Sequence, residues 1–167
     1  MTRAEAIQHA EEASALEAEA AGATPGTTAG GLLIEAANQW WLAGDRKKCR
    51  SLLETVIEGG GEAGCFARAE LLNILLAEAD RVGAEVELTR LADDPALTEG
   101  PCQLVGELLT DHGALAAALE WYDRVLGFWT DERREAAAAT EGRRSTDRML
   151  WQQRQRVRKR QGLQPDQ

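Results

Sequence analysis

Three segments of nine residues share one spacing of small and large apolar residues, and they recur about 34 residues apart. Each segment begins with a small residue, places a large apolar residue four positions later, and places another three positions beyond that. The segments are 49–57, 84–92 and 118–126, and they begin 35 and 34 residues apart. A period of this length is typical of stacked helix–turn–helix units. Because one such unit cannot bury its apolar face alone, we expect each to stack on a neighbour.

The residues before each segment repeat as well. A turn residue lies five positions before each small residue, and an apolar helix precedes each turn. A small or apolar residue lies seven positions before the turn and a bulky one four positions before it, which places both on one helix face. The turn residues are Gly44, Ala79 and Gly113, and the two series before them are Ala37, Leu72 and Gly106, then Trp40, Leu75 and Leu109.

This pattern resembles the tetratricopeptide repeat. The third unit matches best, and the second departs most, since Ala79 replaces the turn glycine and Leu72 fills the small position. The resemblance covers roughly 100 of the 167 residues. It implies an all-α fold, a right-handed superhelix of about three helix–turn–helix repeats with capping helices at both ends. It also implies a concave surface lined by the first helix of each repeat.

The pattern divides the chain into a repeat domain and a helical extension. The repeat domain spans 1–130, and the extension 131–167 contains a basic helix. The expected elements are a capping helix at 3–21, repeats at about 29–62, 65–97 and 99–130, and the basic helix at 143–160.

Charge is unevenly distributed along the chain. The segment 143–160 carries eight basic side chains and one acid, whereas the remaining residues carry 11 basic and 27 acidic ones. The net charge of −9 therefore conceals an acidic body and a basic tail. Arginine outnumbers lysine 16 to 3, which favours GC-rich coding DNA and a bacterial source.

The resemblance places a peptide-binding groove on the first helices of the repeats. Two pairs of polar residues recur there 35 positions apart, Glu35 with Glu70 and Asn38 with Asn73. Asparagine can bond both polar groups of a peptide backbone, and glutamate can pair with a cation. The basic residues of the family's carboxylate clamp are missing, so we expect a neutral or basic protein segment as the ligand. The predicted groove residues are Glu35, Asn38, Trp41, Leu42, Glu70, Asn73, Leu76 and Glu107.

The basic helix has two further interpretations. It caps the open end of the repeat stack, which is the favoured one, or its arginines contact phosphates of a nucleic acid or another anionic surface. The side chains that would make such contacts are Arg148, Arg154 and Arg158. Self-assembly through the ends of the stack is another alternative, with a homo-oligomer as its product.

The sequence contains no recognised catalytic, metal or cofactor motif, so we expect a non-enzymatic protein that needs no cofactor. Cys102 and His112 lie ten residues apart, which is not a same-face helical spacing. The three cysteines are odd in number and widely spaced, which indicates a reducing compartment. With no apolar run of membrane-spanning length and no signal core, the predicted location is the cytoplasm.

Overall fold

The computed structural model describes residues 2–23, 27–139 and 146–164, of which 84% are helical and none lies in a strand. The all-α expectation is therefore confirmed. The chain forms two compact units, Met1–Leu97 and Thr98–Gln167. In the described part, the first unit contains α1 (Arg3–Gly22), α2 (Thr27–Ala43), α3 (Arg46–Gly59), α4 (Gly61–Ala77) and α5 (Arg81–Ala92). The second contains α6 (Glu99–Asp111), α7 (Leu115–Gly127), α8 (Asp131–Ala138) and α9 (Thr146–Arg160).

The same turn joins α2 to α3, α4 to α5 and α6 to α7. Its first residue has a positive φ of 87° at Gly44, 59° at Ala79 and 77° at Gly113. The amide of that residue donates to the carbonyl three positions before it. The amide of the following residue donates to the carbonyl five positions before itself. This is the Schellman arrangement, which satisfies the last carbonyls of a helix. All three turn positions expected from the sequence therefore adopt one backbone geometry.

Ala79 occupies a conformation that favours glycine, which gives a stability prediction. A left-handed backbone costs a residue with a Cβ about 1 kcal/mol, so Ala79→Gly should raise the free energy of unfolding by up to about that amount. Urea unfolding of the two proteins measures the difference. Ala15→Gly, in the exposed middle of α1, is the control and should lower stability by about 0.5–1 kcal/mol. A destabilising Ala79→Gly would contradict the assignment of strain to this turn.

The core of the first unit forms where α1, α2, α3 and α4 meet. Its fully buried members include Ala13, Ala37, Cys49 and Leu53. Two polar contacts fix α1 on α2, since Trp40 Nε1 donates to Glu17 Oε1 at 2.6 Å and His9 Nδ1 lies 2.7 Å from Gln39 Oε1. The first helix therefore covers one side of α2, as a capping helix does.

The second helix pair begins earlier than the sequence indicated. We expected its first helix near residue 65, but α4 begins at Gly61, directly after Gly60 with φ 67°. Gly64, which falls between the repeats expected at about 29–62 and 65–97, lies inside α4. A Cβ on Gly64 would stand 3.5 Å from the carbonyl oxygen of Ile57. This is an ordinary van der Waals distance, so the beginning of α4 lies in contact with the end of α3.

In the second unit, α6 and α7 pack through a glycine and an aromatic ring. A Cβ on Gly106 would lie 2.9 Å from Cε1 of Tyr122, whose side chain is almost fully buried. Thr130 caps α8 by accepting from the Arg133 amide at 3.2 Å. Leu150 and Val157 form the buried side of α9, which packs on α7 and α8.

Candidate functional site: the surface between α2 and α4

Small residues hold α2 and α4 close together and in parallel in the first unit. Ala37 on α2 and Ala67 on α4 are completely buried and belong to one hydrophobic core cluster. A Cβ on Gly30 would approach the Cβ of Ala63 to 2.8 Å, closer than two such carbons normally come. Backbones this close leave the longer side chains on either side of the contact to line a surface. We call this surface, formed by facing residues of α2 and α4, the α2–α4 groove.

A polar pocket lies in the α2–α4 groove and brings together four of the eight predicted site residues. Its volume is about 50 Å³. Pockets that enclose small-molecule ligands are commonly about 300–1,000 Å³, so this one suits a side-chain head group or a backbone amide. The lining residues are Asn38 and Trp41 from α2 and Glu70, Asn73, Ile74 and Ala77 from α4.

Glu70 is the central charged group of the polar pocket. Its carboxylate accepts hydrogen bonds from the side chains of Asn38 and Asn73. Burial raises the pKa of the Glu70 carboxyl above its ordinary value of 4.5, and the two amide bonds offset that rise only in part. The two asparagines that the sequence singled out by their recurrence therefore meet at one carboxylate.

An apolar pocket of about 290 Å³ adjoins the same carboxylate. It lies toward the beginnings of α2 and α4 and has room for a large aliphatic side chain. Sequence reasoning did not predict its glycine, alanine and phenylalanine. Gly31 lies seven residues before Asn38, and Ala63 and Phe66 lie seven and four residues before Glu70. These spacings place each of them on the same helix face as the polar residue that follows it. The lining residues are Gly31, Ile34, Ala63, Phe66 and Glu70.

The other half of the predicted set does not line either pocket. Glu35 and Leu42 are exposed, and Leu76 is half-buried. Helix phase explains this for α2, since about 100° per residue puts Trp41 on one side of Asn38 but Glu35 and Leu42 on the other. Glu107 belongs to the second unit, where it accepts from Gln103 Nε2 at 2.9 Å.

The half-buried ring of Trp41 is already contacted by a cation of the chain itself. The guanidinium carbon of Arg46 lies 4.4 Å from the ring centroid, and Arg46 also pairs with Glu78 at 3.1 Å. Arg50 forms a second ion pair with Glu78. This end of the α2–α4 groove is therefore basic at its rim, and the acidic centre lies at Glu70.

The basic residues predicted on α9 are engaged within the second unit. Arg154 is buried and pairs with Asp123 of α7, with its Nε 2.7 Å from Oδ1. Arg148 donates to the carbonyl of Ala139, and Arg158 donates to that of Gln164 at 2.8 Å. Residues 143–145 of the predicted basic segment lie outside the described residues. The contacts of these three arginines favour a structural role for α9 over phosphate recognition.

A second set of contacts, centred on Arg133 of α8, holds α9 in place. The guanidinium makes two bonds to Glu99 of α6, both 2.7 Å, and two to Asp147 of α9, 2.7 and 2.8 Å long. It also lies over the ring of Trp129, whose Nε1 donates to Glu99. The Arg133 guanidinium lowers the pKa of the Asp147 carboxyl. The partners are 14 and 34 residues away in sequence, so no local spacing reveals them.

Arg133→Lys should therefore loosen α9. An ammonium cannot make two bidentate pairs, so we expect a loss of about 1–2 kcal/mol in the free energy of unfolding at neutral pH. The depressed pKa of Asp147 stabilises the fold above its unfolded value of 3.8 and ceases to do so as the pH falls through the folded value. The loss should consequently shrink in acid. Urea unfolding measures it, with exposed Arg156→Lys as the near-neutral control.

Elsewhere, the described residues contain no group of three or more His, Cys, Asp and Glu side chains that could hold a metal ion. Cys49, Cys65 and Cys102 are buried free thiols, and burial raises the pKa of both Cys49 and Cys65 to about 11. These two thiols stay protonated at neutral pH and are poor nucleophiles. Within the same residues, every helix is too short or too polar to cross a bilayer.

Comparison with protein-family models, with curated proteins and with solved structures finds no match to this chain.

Proposed function

We propose that this chain is a non-enzymatic protein-interaction module that binds an unfolded peptide segment of a partner protein in the α2–α4 groove. The observation that carries the proposal is the convergence of Asn38, Trp41, Glu70 and Asn73 on one pocket. Residues with chemistry for backbone and cation recognition thus lie together on one face of two parallel helices. An adjoining apolar pocket offers burial for a side chain of the same ligand.

Repeat geometry supports the proposed architecture, a tetratricopeptide-like superhelix. Three helix pairs are closed by the same turn, at positions 44, 79 and 113. The second helix of each pair has a small residue at its fourth position, and all three of these residues are buried: Cys49, Ala84 and Ala118. Stacked units of this kind leave a continuous face on their first helices, which is where the α2–α4 groove lies.

The ligand class follows from the size and polarity of the two pockets. The polar pocket is too small to enclose a metabolite, and the apolar one is only at the lower edge of that range. Both are open to a chain that lies along the helices. An extended peptide presents amides and carbonyls at regular intervals, and the Asn38 and Asn73 amides can bond either group.

The Asn38→Ala, Asn73→Ala double variant tests this function. We expect it to lose partners that the wild-type protein retains from a cell lysate, and purified partners to bind it at least tenfold more weakly in calorimetry. Without the two amides the Glu70 carboxylate loses hydrogen bonds, so stability should also fall by about 1–3 kcal/mol. If the double variant does not fold, the single Asn38→Ala variant is tested instead, because Asn38 is the more exposed of the two residues.

The control is the Ser51→Ala, Glu54→Ala double variant, which alters two exposed side chains of α3. It should retain the wild-type partners and the wild-type melting temperature. If the folded groove variant captures the same partners at the same yield, the ligand lies elsewhere and the proposal is wrong.

A further inference from the structure

The two pockets of the α2–α4 groove differ in character and share one residue. The apolar pocket is bounded by Ile34 and Phe66, and the polar one by Asn38 and Asn73. Glu70 belongs to both linings. A ligand that occupies both must therefore present an apolar group and a polar group on the same side, with the carboxylate between them.

The distance between the pockets sets the spacing of those two groups. On α2, Gly31 and Ile34 line the apolar pocket and Asn38 and Trp41 the polar one, a displacement of seven residues. Seven residues of helix rise about 10 Å. An extended chain covers that distance in about three residues. In polyproline II conformation, which repeats every three residues, side chains at i and i+3 also point the same way.

The charge of the polar group follows from the surroundings of Glu70. Its carboxylate is partly desolvated, and the bonds from Asn38 and Asn73 come from neutral amides. Among the described residues that line the two pockets, none is basic. A carboxylate can accept about four hydrogen bonds, so acceptor capacity remains after the two amides. A cation brought next to a desolvated anion is bound much more strongly than at an exposed acid.

A volume of about 50 Å³ favours a compact head group. An ammonium is a compact point charge with three donors, so it fits beside the carboxylate without the planar space that a guanidinium needs. The side-chain oxygens of the two asparagines are additional acceptors for the three ammonium protons.

We propose that the α2–α4 groove selects a segment with a large aliphatic side chain and a lysine three residues apart, the lysine pairing with Glu70. This inference rests on the proposed function and adds the chemistry of the ligand. The aliphatic side chain enters the apolar pocket beside Ile34 and Phe66. The lysine ammonium lies between Asn38 and Asn73.

Synthetic peptides with blocked ends test the lysine directly. The probes carry Leu-Ala-Ala-Lys or the reverse, Lys-Ala-Ala-Leu, and the matched controls replace lysine by glutamine or leucine by alanine. Each is titrated into the full ¹⁵N-labelled chain while backbone amide shifts are recorded. We expect at least one lysine peptide to shift amides of α2 and α4, glutamine to weaken binding about tenfold, and loss of leucine to weaken it at least fivefold.

Two variants assign the effect to Glu70. In Glu70→Gln, the lysine and glutamine peptides should bind equally, whereas Glu54→Gln, an exposed position on α3, should keep the lysine preference. If wild-type protein binds both peptides equally along α2 and α4, lysine selection is wrong but the groove still binds peptide. If no peptide shifts the amides of α2 and α4, both this inference and the proposed function fail.

Discussion

Glu70→Gln should make the protein more stable at neutral pH and, at the same time, remove its preference for a lysine peptide. Burial raises the pKa of the Glu70 carboxyl, which means that the folded chain tolerates the charged form less well than the unfolded chain does. Glutamine keeps the shape and one acceptor oxygen but carries no charge. We expect the free energy of unfolding to rise by about 1 kcal/mol.

The pH dependence of this gain has a definite sign. The folded-state pKa of Glu70 lies above the unfolded value of 4.5, so the folded chain binds the proton more tightly. The contribution of Glu70 to wild-type stability therefore decreases as the pH rises from 4.5 through the folded pKa, and it is constant above that. Glu70→Gln lacks this decrease. Its advantage should be largest at neutral pH and vanish below about 4.5.

Glu35→Gln is the matched control, because Glu35 is the counterpart of Glu70 one repeat earlier and is exposed. It should change stability by less than about 0.5 kcal/mol at any pH. Urea unfolding at several pH values measures both variants. If Glu70→Gln is less stable than wild type at pH 7, the Glu70 carboxylate stabilises the fold. The hypothesis that Glu70 lowers stability and is retained to bind a ligand would then be wrong.

A substitution that raises stability but weakens ligand binding identifies a residue retained for function rather than for the fold. A side chain retained only for the fold should cost stability when it is replaced, as expected for Arg133. Glu70 is expected to behave in the opposite way, because its burial is offset fully only when a cation binds. The two substitutions, one in each compact unit, thus give opposite signs in the same unfolding experiment.

The sequence was informative where the fold repeats itself. Gly44, Ala79 and Gly113 were identified as turn positions by spacing alone, and all three have the left-handed backbone. Ala79 shows that the repeat constrains the backbone more strongly than the residue type does. Spacing succeeds here because a turn and its flanking helix faces depend on local geometry.

The sequence was less informative about which side of a helix faces a neighbour. Recurrence alone ranked Glu35 equal to Glu70, but Glu70 is half-buried in the structure and Glu35 is exposed. Glu35 lies on α2, whose preceding neighbour is the capping helix α1, whereas Glu70 lies on α4, whose preceding neighbour in the stack is α2. The two equivalent positions therefore have different surroundings. A periodic pattern gives positions along a helix but not the partner that faces each one.

Ion pairs between distant residues also escaped the sequence analysis. In α5, the spacing predicted apolar contacts at Leu88 and Leu91, and Leu91 is buried while Leu88 is half-buried. It did not predict that Glu87 is buried as well, where it pairs with Arg68 at 3.0 Å and Arg90 at 2.6 Å. A sequence pattern assigns a charged residue to the surface unless its partner is known. Arg68 lies 19 residues earlier on α4, and only the tertiary fold brings the two together.

Gly30→Ala should lower the free energy of unfolding by about 1–2 kcal/mol, while Gly31→Ala should raise it by about 0.5–1 kcal/mol. Both glycines lie inside α2, so both substitutions gain the same helix propensity. They differ in what the new methyl group meets. At Gly30 it would lie 2.8 Å from the Cβ of Ala63 on α4, whereas at Gly31 nothing lies within 4 Å.

The clash at Gly30 cannot be relieved by rotation of a side chain, because the opposing atom is a Cβ fixed to the backbone of α4. The helices must separate, and we expect the Asn38–Glu70 contact in the α2–α4 groove to weaken with them. Gly30→Ala should therefore reduce peptide binding through the polar pocket, whereas Gly31→Ala only narrows the apolar one. Urea unfolding and the peptide titration measure the two effects. Equal stability changes in the two variants would mean that α2 and α4 are not in close backbone contact, and the geometry of the groove would then need another origin.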